Sequence, residues 1–140
     1  QTTRVLDIGY TSRWPSDDDA VNSVRWNTLV RSLAGYHAYR ASYPAGRYPD
    51  DIASFLLYDV EFVRAVAFCM ASVERTLGRL AERTGESVDS AIASSLEAMQ
   101  TMLADGKAAS QADAEGMSAF IDQLQEGLSD IGEAVAERYF

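Results

Sequence analysis

Residues 59–85, Asp59-Val-Glu-Phe-Val-Arg-Ala-Val-Ala-Phe-Cys-Met-Ala-Ser-Val-Glu-Arg-Thr-Leu-Gly-Arg-Leu-Ala-Glu-Arg-Thr-Gly85, decide the fold. Val63, Val66, Met70, Val73, Leu77 and Leu80 recur at steps of three and four, which gathers them on one face of an α-helix as a narrow seam of coiled-coil type. Asp59 reads as the N-cap, its carboxylate placed to accept hydrogen bonds from the first unpaired backbone N–H groups. The helix is therefore expected to run from Val60 to Thr84. Gly85 is its natural stop, because a residue without Cβ takes up the left-handed conformation that closes a helix at no steric cost.

Working outward, Pro49 fits the first position of a short helix reaching about Tyr58, with Asp50 and Asp51 well placed at the positive end of its dipole. Upstream, Trp26, Leu29, Val30, Leu33, Tyr36 and Arg40 recur at helical steps, so one helix is expected from about Ala20 to Tyr43. Gly35 weakens it by up to about 1 kcal/mol relative to Ala and marks a kink or a close helix crossing. Pro44-Ala-Gly-Arg-Tyr48 is the loop that follows, and Trp14-Pro-Ser-Asp-Asp-Asp19 the turn that precedes. Residues 2–10 read as the last turns of a helix. Downstream, Val88, Ile92, Leu96, Met99 and Leu103 mark a helix to Ala104, and Met117, Phe120, Leu124, Leu128, Ile131 and Val135 mark a last one to Tyr139. Residues 105–113 form a polar hinge between them. No segment alternates with the period of a strand, so the chain is expected to be all-α, an antiparallel helical bundle of about five helices forming a single domain over residues 1–140.

With 140 residues and 47% apolar content, the chain has enough material for one real core and too little for two. No apolar run approaches the roughly 18 residues of a membrane span, and Cys69 is the single cysteine, so no internal disulfide holds the fold. A soluble, cytoplasmic protein without a membrane partner is expected. The net charge of −9 is unevenly spread: residues 1–47 carry +2, residues 48–84 carry −2 and residues 85–140 carry −9. Tyr10, Trp14, Trp26, Tyr36, Tyr39, Tyr43 and Tyr48 also lie early, each with a polar handle, which makes the first third the expected surface for ligands or partners. Its small positive charge beside a strongly acidic remainder argues against nucleic acid as that partner.

The candidate site residues are Arg31, His37, Arg40 and Arg64. His37, between polar aromatics, has the residue type of a general base or substrate contact near neutral pH. With no Ser, Cys or second His at a triad-like spacing, it is more simply a helix-surface or inter-helix histidine. Arg64 stands just after Asp59 and Glu61, suited to an anionic ligand or, more simply, to an Arg–Asp tie fixing a helix junction. Arg40, one turn after Tyr36, invites the same two readings. Cys69, within an apolar helix, reads as a small buried hydrophobe. A di-metal centre needs Glu-x-x-His pairs, and the chain has one His with no Glu near it; no catalytic constellation, metal or cofactor is expected from the spacing.

Two blocks carry a family resemblance: Trp26-Asn-Thr-Leu-Val-Arg-Ser-Leu-Ala-Gly-Tyr-His-Ala-Tyr-Arg40 and Phe55-Leu-Leu-Tyr-Asp-Val-Glu-Phe-Val-Arg-Ala-Val-Ala-Phe-Cys69. Together with Arg4-Val-Leu-Asp-Ile8 before them and Phe120-Ile-Asp-Gln-Leu-Gln125 and Tyr139-Phe140 after them, they resemble the bacterial alpha-E family, and specifically the C-terminal half of its longer helical members. The chain departs from that pattern at Val63-Arg64-Ala65, where Pro-Arg-Ser is usual, and at Ser118, where a His is common. The family's Glu-Arg-Ala helix would lie before Gln1. The resemblance implies a fragment of a longer protein, associated with ATP-grasp ligase-like and transglutaminase-like proteins that make or modify peptides or amide bonds. It leaves two expectations: a non-catalytic helical module that docks or holds together such a ligase system, or part of an enzyme or carrier whose pocket an N-terminal half completes around Arg31, His37, Arg40 and Arg64. An apolar face on residues 2–10 and the Trp26 helix is expected to pair, either with that half or with a second copy as a homodimer.

Overall fold

A computed structural model of the 140-residue chain describes residues 1–11, 19–45, 50–109 and 114–140. Among these the chain is all-α, with α1 (Thr2–Thr11), α2 (Asp19–Ser32), α3 (Tyr36–Ser42), α4 (Asp50–Tyr58), α5 (Val66–Thr84), α6 (Ser90–Ala109) and α7 (Ala114–Tyr139). The fold class is as the periodicity predicts; the division into helices is finer than the five expected, since the helix expected from Ala20 to Tyr43 is broken in two, and the one expected from Val60 starts late.

The first cut falls at Gly35. The expected helix from Ala20 to Tyr43 stops at Ser32 and restarts at Tyr36. Gly35 N–H reaches back to Val30 O at 3.0 Å and Ala34 N–H to Arg31 O at 2.9 Å, the paired bonds of a Schellman stop, with Ala34 in the left-handed region at φ 54°. Gly35 cannot carry a side chain here without disturbing Phe62, whose ring would stand 2.9 Å from an added Cβ. The second cut is at Asp59. Its Oδ1 does accept from the N–H groups of Glu61 (2.9 Å) and Phe62 (2.7 Å), but these bonds close a turn, and α5 begins later, after Ala65. The seam is corrected accordingly: Val66, Met70 and Leu77 are buried, while Val63 is 61% exposed in the turn. Gly85 closes α5 as expected, at φ 73° with its N–H bonded to Ala81 O.

Elsewhere the helices run longer than predicted. Asp89 caps α6, its Oδ1 accepting from Ala91 N–H at 2.9 Å, and α6 continues past Ala104 to Ala109, so the expected hinge is partly helical. Gly106 allows this by bringing the last turns of α6 against the ring of Phe120, into which a Cβ at that position would run. The turn at Trp14 and the helix start at Pro49 lie outside the described residues.

The buried apolar side chains form one core. α7 packs along both α6 and α1, and α4 touches α1, α3, α5 and α6. Leu6, Ile52, Phe55, Leu56, Leu57, Ile92, Met99, Ile121 and Leu124 are fully buried where these helices meet, each large apolar side chain contributing about 1.5–3 kcal/mol by leaving water. Thr2 pins the start of α1, its hydroxyl donating to Arg64 O at 2.6 Å. No helix among the described residues is long and apolar enough to cross a membrane.

Candidate functional site

Trp26 sits in the first place the sequence pointed to. On α2 it turns inward, 4% exposed, its ring lying on Gly9 of α1 and edge-on to Tyr10 with centroids 5.2 Å apart. Trp26 itself is thus covered, since Gly9 lets α1 close over it and any Cβ there would overlap the indole; the apolar face expected on residues 2–10 and the Trp26 helix is carried by Ile8, Val21 and Val24 instead. Arg25, the neighbouring residue, crosses to α1 and donates from Nη2 to Ile8 O (2.8 Å) and Gly9 O (2.5 Å). A cation on these carbonyls suits the negative end of the α1 dipole. Burial pulls the guanidinium below its ordinary pKa.

Of the four candidate polar residues, Arg31 and His37 meet on one ring, and none of the four lines the grooves between α1 and α2 or between α5 and α6. Arg31, at the end of α2, lays its guanidinium 4.5 Å from the centroid of the Tyr36 ring, a contact worth about 0.5–1 kcal/mol at an exposed site. His37 stands edge-on to the same ring at 5.7 Å. Arg40, one turn along α3, donates to Pro44 O at 2.8 Å and so ties the end of α3 to the loop beyond. Arg31, His37 and Arg40 are all exposed. Arg64 is in the turn between α4 and α5, also exposed, with its carbonyl taken by Thr2. Asp59, its expected partner, gives its carboxylate to backbone N–H groups and, more weakly, to the Ser42 hydroxyl at 3.5 Å. Among the described residues the ion pair is elsewhere, between Arg138 and Glu86 at 3.0 Å, and no group of three or more His, Cys, Asp or Glu is placed to hold a metal ion.

The tyrosines of the first third divide in a way the sequence did not foretell. Tyr39 is fully buried, stacked on Tyr43 at 5.6 Å and edge-on to Phe55, which in turn stacks on Phe62 at 4.7 Å. This aromatic set belongs to the core. Burial pushes the Tyr58 hydroxyl up to about 12, and raises Tyr10, with Asp50 adding to it, and Tyr43, with Asp51 and Asp59 adding to it. Cys69 is corrected from buried to exposed, its thiol directed to Val63 O at 3.6 Å.

What the structure does open to solvent is apolar. A groove of about 530 Å³ runs between α1 and α2, lined by Ile8, Ala20, Val21, Val24, Thr28 and Leu29 with Arg25 at its side. Ile8 is 52% exposed and Val24 67%. A signal for it was present: Val21, Val24 and Thr28 form a second stripe on α2, opposite Trp26, Val30 and Leu33, and one helix face cannot bury both. A further groove of about 430 Å³ lies between α5 and α6, floored by Leu77, Gly78, Val88, Ala93 and Leu96 and edged by Glu74, Glu97 and Gln100. Gln100 donates across it to Glu74 at 3.0 Å.

The family model whose match spans residues 1–140 is Alpha-E, described as a predicted alpha-helical domain with a conserved ER motif. The chain belongs to the Alpha-E family. That description agrees with the seven helices seen, and Glu-Arg pairs stand in this Alpha-E chain at 74–75, 82–83 and 137–138. No curated protein and no solved structure matches the chain.

Proposed function

We propose that the Alpha-E chain is a helical interaction module, working in the cytoplasm and holding together a system of ATP-grasp ligase-like and transglutaminase-like proteins that forms or modifies peptide or amide bonds. The observation that carries this reading is the contrast between its two kinds of surface. Arg31, His37, Arg40 and Arg64 line neither groove, and three of them are engaged by an aromatic ring or a backbone carbonyl. The opening of about 530 Å³ between α1 and α2 is instead apolar, with Ile8, Val21 and Val24 exposed, as on surfaces that find partners. The link to ligase-like and transglutaminase-like proteins comes from the family resemblance.

Binding of the purified chain to purified ATP-grasp ligase-like and transglutaminase-like proteins of its source organism tests the reading by calorimetry. Micromolar binding to either, unchanged in His37→Ala and Arg64→Ala, is expected. Absence of binding, together with turnover of a peptide substrate that His37→Ala abolishes, would favour an enzyme instead.

A further inference from the structure

We infer that the groove between α1 and α2 receives an amphipathic helix of a partner protein, apolar along one face and flanked by aspartate or glutamate. The inference rests on the interaction-module reading and names the chemistry of the partner. Shape, backbone chemistry and charge each narrow the occupant.

Three of the large apolar side chains that stand exposed, Ile8, Val21 and Val24, gather at this one opening. It is concave, with Ile8 contributed by α1 and Val21, Val24 and Thr28 by α2, so it suits a ridge of side chains better than the plane of a bilayer. Ala20 to Thr28 spans about 12 Å of α2, a little over two helical turns. Apolar side chains three and four residues apart on a visiting helix match that length.

Backbone chemistry decides between a helix and an extended segment. The lining is almost wholly apolar, and the two carbonyls at its side, Ile8 O and Gly9 O, already accept from Arg25. An extended segment laid here would bring N–H and C=O groups out of water with nothing to pair them. A helix brings its backbone groups already paired.

Charge then selects which helix. Arg25 lines the groove, Arg4 stands one turn before Ile8 on the same face of α1, and Arg31 stands two turns after Val24 on the same face of α2. Among the described residues no carboxylate lines it; Asp7 lies about 100° round α1 from Ile8, and Asp50 acts on Tyr10, on the far side of α1. No ion pair among the described residues involves Arg4 or Arg31, and the ring contact of Arg31 leaves its charge in place. Residues 48–140 carry −11, so an acidic helix is repelled by most of the molecule and admitted at this face, while a basic one is drawn elsewhere.

Fluorescence anisotropy with three labelled peptides of about 18 residues tests this. One carries leucines three and four apart along one helix face with glutamates beside them; the second has lysines in place of the glutamates, the third serines in place of the leucines. The glutamate peptide is expected to bind saturably, about tenfold tighter than either of the others, and to weaken as salt rises. Val24→Asp should cost it about tenfold, and Arg4→Glu should shift the preference towards the lysine peptide. Val60→Asp, at an exposed valine in the turn between α4 and α5, should change nothing. All three positions are exposed, and circular dichroism melts matching the parent confirm that each variant folds, Val21→Ser standing in should Val24→Asp melt early. Equal binding of the glutamate and lysine peptides, a loss on Val60→Asp as large as on Val24→Asp, or no binding at all would overturn the inference. Self-association of the parent that Val24→Asp abolishes would overturn it too, by putting a second copy in the groove. The peptides report on one face, so they can fail while calorimetry still detects a ligase-like protein, and the reverse.

Discussion

Ala34 holds the least comfortable backbone among the described residues. At φ 54° it is the non-glycine residue in the left-handed region among those described, where an L side chain costs roughly 1–2 kcal/mol. It stays there because the Schellman bonds at Ala34 and Gly35 close α2 and because Phe62 fills the space beside Gly35. Ala34→Gly should raise stability by about 0.5–1 kcal/mol, read as a higher urea midpoint with unchanged slope; a lower midpoint would show that the strain is imaginary. Asp59 and Arg64 give the opposite lesson. Their charges suggested a coupled pair, but Asp59 is committed to the Glu61 and Phe62 amides, so a double-mutant cycle should give a coupling below about 0.3 kcal/mol, while Asp59→Ala alone costs about 1 kcal/mol.

At the scale of elements, helical periodicity revealed which segments coil but not where each one ends. The run from Trp26 to Arg40 keeps its three- and four-residue steps straight through the break, because Leu33 and Tyr36 serve the same core from two helices. The stop is made by Ala34, whose residue type hides it. Similarly, Val63 continues the seam in register and yet faces solvent, since the turn started by Asp59 carries it outside α5. Cys69 was misjudged for a related reason: it follows the buried Val66 by three positions, but the face of α5 that α4 and α6 cover is narrower than its apolar content. Val66→Asp, which would bury an unpaired carboxylate at a 4% exposed site, should cost several kcal/mol and abolish a cooperative melt. Cys69→Ser should shift the melting midpoint by no more than about one degree. A Val66→Asp chain melting like its parent would remove α5 from the core.

For the whole molecule, the uneven charge and the all-α class were legible in composition and period, whereas the exposure of individual side chains was not. Burial is a property of the assembled helices: the two apolar stripes of α2 show that one must stay open, but no single-helix pattern shows that it would be the one with Val21 and Val24, or that Tyr39 would turn into the core. The half-buried tyrosines also set how the molecule responds to base. Tyr58 titrates near 12 when folded against an ordinary value of 10, with Tyr10 and Tyr43 raised in the same sense. Above pH 10 the unfolded chain releases these protons first, so it binds fewer than the folded one and stability falls as pH rises. Denaturant midpoints should be flat in this respect below pH 10 and decline between about 10 and 12. Tyr58→Phe, which removes the proton but keeps the ring, should soften that decline.

The contact between α1 and α7 has a consequence in time as well as in space. Roughly a hundred residues separate these helices, whereas α6 and α7 are near neighbours in sequence. Closing the short loop first and the long one last is the lower-entropy route, so the α6–α7 hairpin should nucleate and α1 should be the latecomer. On the ribosome the delay is longer still. At about 5–20 residues per second, α1 waits several seconds or more before α7 emerges to receive it, and during that interval the nascent chain offers the face of α1 that α7 will cover to whatever chaperone stands at the exit.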